Sequence, residues 1–202
     1  DPDEPRRVAQ SVQLLNLKHV VITSVDRDDL HDQGARQWAE TIKAIKERMP
    51  STTIEALIPD FDGKDELILQ VIAEGPEIVS HNLETVRRIT PLVRSRAKYD
   101  TSLKVLRCIA ASGVVAKSGI MAGLGETREE VLETLAEMRK AGASVATVGQ
   151  YLQPTRNHLP VVEYIHPEVF DFYRDEGLKL GFRHMECGPL VRSSYKAENH
   201  FC

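Results

Sequence analysis

Residues 114–152 read VVAKSGIMAGLGETREEVLETLAEMRKAGASVATVGQYL, and this stretch decides the fold. Residues 114–121 form an apolar, β-branched run that leads into Gly123 and Gly125, which predicts a strand followed by a tight turn. Residues 126–141 then place Val131, Leu132, Leu135 and Met138 on one stripe, so an amphipathic helix is expected there, with Gly142 as its C-terminal cap. Residues 144–152 return to an apolar run. Strand, helix and strand in this order make a βαβ unit with parallel strands.

The same alternation extends upstream. Val8, Val12 and Leu15 predict a first helix, before a strand over residues 19–25 and the polar loop DRDDLHDQG. Trp38, Ile42, Ile45 and Met49 predict a second helix ending at Pro50, followed by a strand over 52–59 and the loop DFDGKDE. A helix over 67–73, a short strand over 77–83 bearing His81 and Asn82, and a helix over 102–111 closed by Gly113 complete the upstream part. After Gln153 come His-, Pro- and aromatic-rich loops, one more helix near 167–180, and the tail GFRHMECGPLVRSSYKAENHFC.

Five strands follow from this reading. Continuous apolar strands need cover on both faces, which favours an α/β barrel or a doubly wound sheet over a half-exposed antiparallel sheet. Five strands cannot close a standard eight-strand barrel, so either the barrel is naturally partial or at least one strand is missing.

Composition narrows the function classes. At 202 residues, with 42% hydrophobic and 28% charged residues and no low-complexity tract, the chain reads as a globular protein with a single core. A formal net charge of -4 argues against nucleic acid as a partner. No apolar run approaches the roughly 20 residues of a membrane span, and the opening DPDEPRRVAQ has no hydrophobic signal region. Cys108, Cys187 and Cys202 are odd in number and match no zinc or iron–sulfur spacing, so Cys108 is expected as a small core residue on a helix and the others as incidental thiols. His158, His166, His184 and His200 form no helical or hairpin ligand pair, and no zinc site is expected.

Polar residues gather at the C-terminal ends of the expected strands: Thr23, Ser24 and Asp26; Asp60 and Asp62; His81 and Asn82; Gln150. A parallel βα fold opens all of these on one rim, where such folds place ligands, although strand ends are also where polar turns begin. In Lys117–Thr127, small residues at a strand-to-helix turn would let a ligand approach the backbone and helix amides hold an anion; a tight structural turn is the competing reading. Lys117 sits within a strand, and an inward-facing ammonium needs a partner, for which a substrate carboxylate would serve; facing outward it would simply be solvated.

The runs VVITSVDRDDL, EALIPDF, SHNLETV, KSGIMAGLGET, GQYLQPTRNHLPV and GPLVRSSY, in this order and across nearly the whole chain, resemble the blocks of the lipoyl synthase family. The resemblance implies a partial (β/α)6 TIM-like radical S-adenosylmethionine (SAM) barrel. Residues 1–152 would supply βα units 2–6 without the first strand, and residues 153–202 a C-terminal extension packed on the same domain. It implies insertion of two sulfur atoms, at C6 and C8, into an octanoyl group on a lysine of a lipoyl carrier protein, with an electron donor such as a ferredoxin or flavodoxin. Two 4Fe-4S clusters would each use three cysteines: one reduces SAM to a hydrogen-abstracting radical, and the other is dismantled to donate sulfur.

By the same resemblance, Ser193 is an oxygen ligand of the auxiliary cluster, and Arg192 positions cluster or substrate. A serine alkoxide binds iron more labily than a thiolate, which suits an iron that must leave. Gly119, Met121, Gly123 and Glu126 match the G-x-[IM]-x-G-x-x-E pattern that supports the adenine of SAM. Lys117 would neutralise the methionine carboxylate, with Ser24, Asn82 and Gln150 as further polar contacts. The family's C-x4-C-x5-C and C-x3-C-x2-C motifs are not in these 202 residues, so the chain by itself is expected to be inactive and poorly stable. The expected setting is cytoplasm, or a mitochondrial or plastid matrix. Two other classes stay open: a cluster-free relative that binds carrier protein or SAM, which six upstream cysteines would exclude, and a barrel aldolase or isomerase using Lys117 as a Schiff base, which a failed borohydride trap would count against.

Overall fold

The computed structural model describes the chain apart from Ser95, Lys196 and residues 199–202, so His200 and Cys202 lie outside the described residues. Its centre is a six-stranded, wholly parallel sheet: β1 (His19–Thr23), β2 (Thr53–Leu57), β3 (Ile78–Ser80), β4 (Val115–Ala122), β5 (Val145–Gln150) and β6 (His184–Gly188). The strands lie in sequence order, β1-β2-β3-β4-β5-β6. A doubly wound sheet reverses its order at a switch point. An unreversed order is that of a barrel, left open here between edge strands β1 and β6.

The helices follow from their stripes. α1 (Glu4–Leu14) buries Ala9 and Val12, whereas Leu15, placed on the same stripe in the sequence reading, falls beyond the helix and is exposed. α2 (Ala35–Arg48) buries Trp38, Ile42 and Ile45, and α3 (Asp65–Ile72) buries Ile68 and Val71. The short α4 (Thr90–Val93) precedes α5 (Tyr99–Ala111), which buries Leu103, Leu106 and Ile109 and carries Cys108 half-buried against the core. α6 (Arg128–Lys140) starts at a capping box in which Thr127 Oγ1 accepts from Glu130 N–H and the Glu130 carboxylate accepts from Thr127 N–H. α7 (Pro167–Lys179) buries Phe170 and Tyr173. α1 packs on α2, α2 on α3, α3 on α5, α5 on α6 and α6 on α7, so the helices sheathe one side of the sheet.

The five strands expected are corrected to six. β6, HMECG, has no apolar run: Met185 is buried, while His184 and Glu186 on either side are half-buried and bond to each other at 3.1 Å. Its place comes from pairing with β5, from Val145↔His184 to Gly149↔Gly188, a contact between residues about forty apart that local patterning does not encode. Burial in β6 pushes the Cys187 thiol up to about 12, which disfavours its thiolate form. Among the described residues, no helix is long and apolar enough to cross a membrane.

Candidate functional site

The side of the sheet away from the helices is polar. Glu55 on β2, Ser80 on β3 and Lys117 on β4 are each fully buried and touch one another. Above them, toward the C-terminal ends of β3, β4 and β5, opens a cavity of about 180 Å³. Asn82, Glu84, Gly119, Met121 and Gln150 line it from the sheet, and Arg192 and Ser193 from the C-terminal extension.

Two glycines create this space. A Cβ on Gly119 would lie 2.3 Å from Thr147 Oγ1 and 3.3 Å from Asn82 Oδ1, so any side chain there would occupy the floor. A Cβ on Gly149 would lie 2.3 Å from the carbonyl oxygen of Val191. Gly149 therefore lets the chain after β6 fold back over β5. Val191 N–H bonds to Gly188 O at 3.1 Å to make the turn, and Arg192 Nη1 donates to Val191 O at 2.7 Å. The strap so formed carries Ser193 to the cavity wall.

Asn82 and Glu84 follow β3. Glu84 takes a left-handed conformation, φ 68°, because its N–H bonds to Gly119 O while its C=O accepts from Met121 N–H, which pins the loop to β4. Burial raises the Glu84 carboxyl above its ordinary value, against the lowering effects of Arg94 and a hydrogen bond with Asn82. Asn82 Oδ1 is buried with no partner among the described residues. An acceptor in that state at a cavity wall asks for a donor from a ligand.

Other sequence-selected residues build the site's frame. Gln150 is buried; its Nε2 donates to the carbonyls of Tyr151 and Glu163, each at 3.0 Å, and its Oε1 accepts from Ile165 N–H at 2.9 Å. The amide thus staples residues 163–165 to the end of β5. Gly123 receives the same segment, its carbonyl accepting from Val162 N–H at 2.9 Å. The Glu126 carboxylate closes the glycine turn by accepting from the N–H groups of Gly123 and Leu124.

Three placements depart from the sequence reading. Ser24 is exposed beyond β1 and does not line the cavity. His81 turns into the core, where Nδ1 meets Ile58 O at 3.0 Å and Nε2 meets Ser102 Oγ at 2.9 Å. Lys117 lies below the cavity wall, and the carboxylate beside it is Glu55's, with both oxygens 2.8 Å from Nζ. Burial lowers the ammonium's pKa and Glu55 raises it. Full burial also removes Lys117 from reach of a carbonyl substrate, which tells against the Schiff-base reading. Sequence reasoning missed Glu84, Thr147 and Gly149; the acid two residues after Asn82 in SHNLETV was the available signal for the first.

The model of the radical SAM superfamily matches residues 1–138. The chain is 61% identical over 200 residues to the lipoyl synthase of Parabacteroides distasonis, covering 99% of this chain and 71% of that protein. It is 58% identical over 200 residues to the lipoyl synthase of Treponema denticola, covering 99% and 69%. The chain belongs to the lipoyl synthase family of the radical SAM superfamily. The family is one of enzymes, radical SAM sulfurtransferases. Two solved structures show the same fold at 14% identity: methylornithine synthase, with a TM-score of 0.69 over 95% of this chain and 64% of that one, and an FeFe-hydrogenase maturase, with a TM-score of 0.64 over 99% and 55%. The α/β, TIM-like class expected from the sequence is therefore the fold of this lipoyl synthase family member.

Radical SAM membership implies SAM and a 4Fe-4S cluster. The lining offers a glycine floor, an unpartnered amide oxygen and the half-buried Glu84 carboxylate, groups that suit the hydroxyl and amino donors of SAM. For iron, the described residues hold no group of three or more His, Cys, Asp or Glu arranged for a metal ion. Ser193 supplies one oxygen donor at the wall, so a cluster there needs thiolates from outside the described residues.

Proposed function

We propose that the protein to which this chain belongs inserts two sulfur atoms, at C6 and C8, into a carrier-bound octanoyl-lysine, with SAM in the cavity and Ser193 as the oxygen ligand of the auxiliary cluster. The observation that carries this reading is the convergence of the 82–84 loop, Gly119 of β4, Gly149 of β5 and the Arg192-Ser193 strap on one cavity. Residues 1–152 supply the first five strands of the barrel, and residues 153–202 are an extension of the same domain that adds β6 and the strap.

When bound, SAM and its cluster supply a hydrogen-abstracting radical, and the auxiliary cluster supplies sulfur. The chain's own residues bind and orient. Asn82 Oδ1 and the Glu84 carboxylate accept from ligand hydroxyl or amino groups, and Gly119 lets the ligand lie against the β4 backbone. Met121 adds an apolar contact, and Gly123 with Glu126 fixes the turn at the adenine end. Arg192 presents a cation beside the serine. The octanoyl chain enters from the open side of the barrel, on lipoyl carrier proteins in the cytoplasm, with a ferredoxin or flavodoxin as electron source. Residues 1–202 alone are inactive in this reading, because two clusters need six thiolates and the sequence has three cysteines.

The test uses the full-length gene product, reconstituted anaerobically with iron and sulfide and given an octanoyl-lysine peptide, SAM and reductant. About eight irons and a lipoyl product are expected. Ser193→Ala should retain SAM cleavage and lose sulfur insertion. A parent protein with no bound iron and no product, where another family member works, refutes the reading.

A further inference from the structure

The buried ion pair beneath the cavity has no place in the chemistry above, yet it touches the strap. Lys117 Nζ lies 2.8 Å from each carboxylate oxygen of Glu55 and 2.6 Å from the backbone carbonyl oxygen of Ser193. Ser80 Oγ donates to Glu55 Oε1 at 2.9 Å, so the acceptor is itself oriented. Both charged side chains have no solvent exposure. Burying such a pair brings desolvation costs that its attraction often only offsets, so it is weak as a source of stability. What it supplies is a fixed donor from the middle of the barrel to one carbonyl in a segment that has no regular secondary structure.

Resting on the assignment of Ser193 as a cluster ligand, we infer that Lys117, oriented by Glu55, is a positioning residue: by holding the Ser193 carbonyl it sets where the serine oxygen meets iron and how readily that iron leaves. The strap has two anchors on either side of the serine's side chain. Val191 sits in the space left by Gly149, and the Ser193 carbonyl is bound from below by Lys117. Two fixed backbone points restrict the direction of the Cα–Cβ bond between them, and a ligand's backbone position controls its bond to a metal as its second hydrogen-bond partner does.

The test is the double variant Glu55→Gln/Lys117→Met in the full-length, reconstituted protein, which removes both buried charges together and avoids stranding one of them. Iron release from the auxiliary cluster to a chelator is timed, its Mössbauer spectrum is recorded, and 5′-deoxyadenosine formation reports the radical cluster separately. SAM cleavage should persist while auxiliary iron leaves at least about tenfold faster and the serine-ligated iron site changes its spectrum. Glu55→Gln alone, which keeps the shape of the site, should move release in the same direction by a smaller factor. Release and spectra like the parent's in both variants overturn the inference. If Ser193→Ala also releases iron as the parent does, the ligand assignment itself is what has failed.

Discussion

Lowering the pH from 7.5 to 5.0 should remove about 2 kcal/mol of stability through His81 alone. His81 is 2% exposed. The Ile58 carbonyl can only accept, so Nδ1 carries the proton, and Nε2 accepts from the Ser102 hydroxyl, which in turn accepts from Arg94 Nη1 at 2.9 Å. A second proton would have to sit on Nε2, in a buried site beside Arg94. Burial first, and Arg94 after it, lower the His81 pKa to about 4, against the Ile58 carbonyl and Asp60. The sign follows from linkage. The unfolded chain, with a pKa near 6.5, binds the proton more readily than the folded one, so stability is full above that value and is lost as pH falls toward the folded pKa. Over the chosen window the two titrations differ by about 2 kcal/mol, or about 1 M in urea midpoint at a typical slope. Trp38, the single tryptophan and 5% exposed, reports unfolding by fluorescence. His81→Gln keeps a donor for Ile58 without a titrating group and should lose most of the pH-dependent shift. An equal shift in parent and variant refutes the assignment.

Gly149→Ala should displace the strap, since its Cβ would lie 2.3 Å from Val191 O; the reconstituted protein is expected to keep SAM cleavage while lipoyl product falls by about tenfold or more, measured by mass spectrometry. Thr127→Ala removes one half of the α6 capping box and should cost about 1 kcal/mol in urea unfolding, with SAM affinity by equilibrium dialysis unchanged, because Thr127 holds the helix start and does not line the cavity.

What the sequence made legible was whatever local burial encodes. β4 and β5 are almost wholly buried, so their apolar runs stood out, and α2, α5 and α6 carry stripes that only a helix satisfies. β6 was illegible because its polar residues are accommodated by pairing with β5 and by the His184–Glu186 contact, neither of which has a local signature. The four-residue α4 is too short to display a period. At the site, strand ends pointed to Asn82 and Gln150, which line the cavity, but residue type alone could not separate His81, which folds into the core, from Asn82 beside it. Glu84 lay hidden because its role depends on a left-handed residue bridging to β4.

The polar inner side of the sheet explains why the disagreements cluster where they do. On the helix side, local preference and tertiary packing agree, and reading the sequence there succeeds. On the inner side they conflict: Lys117 sits in the middle of an apolar strand, Glu55 lies between Ile54 and Ala56, and Gly119 and Gly149 weaken strands that propensity alone would fill with β-branched residues. Lys117, Gly119 and Gly149 each touch the cavity or the strap above it, and Glu55 holds Lys117 in place. Natural chains break local rules where a site requires it. Here the two glycines make room, one for the cavity and one for the strap, and the ion pair reaches up to hold the strap by its backbone. The C-terminal extension is therefore part of the cavity wall, and a barrel without it would leave Asn82 and Glu84 facing no Arg192 or Ser193.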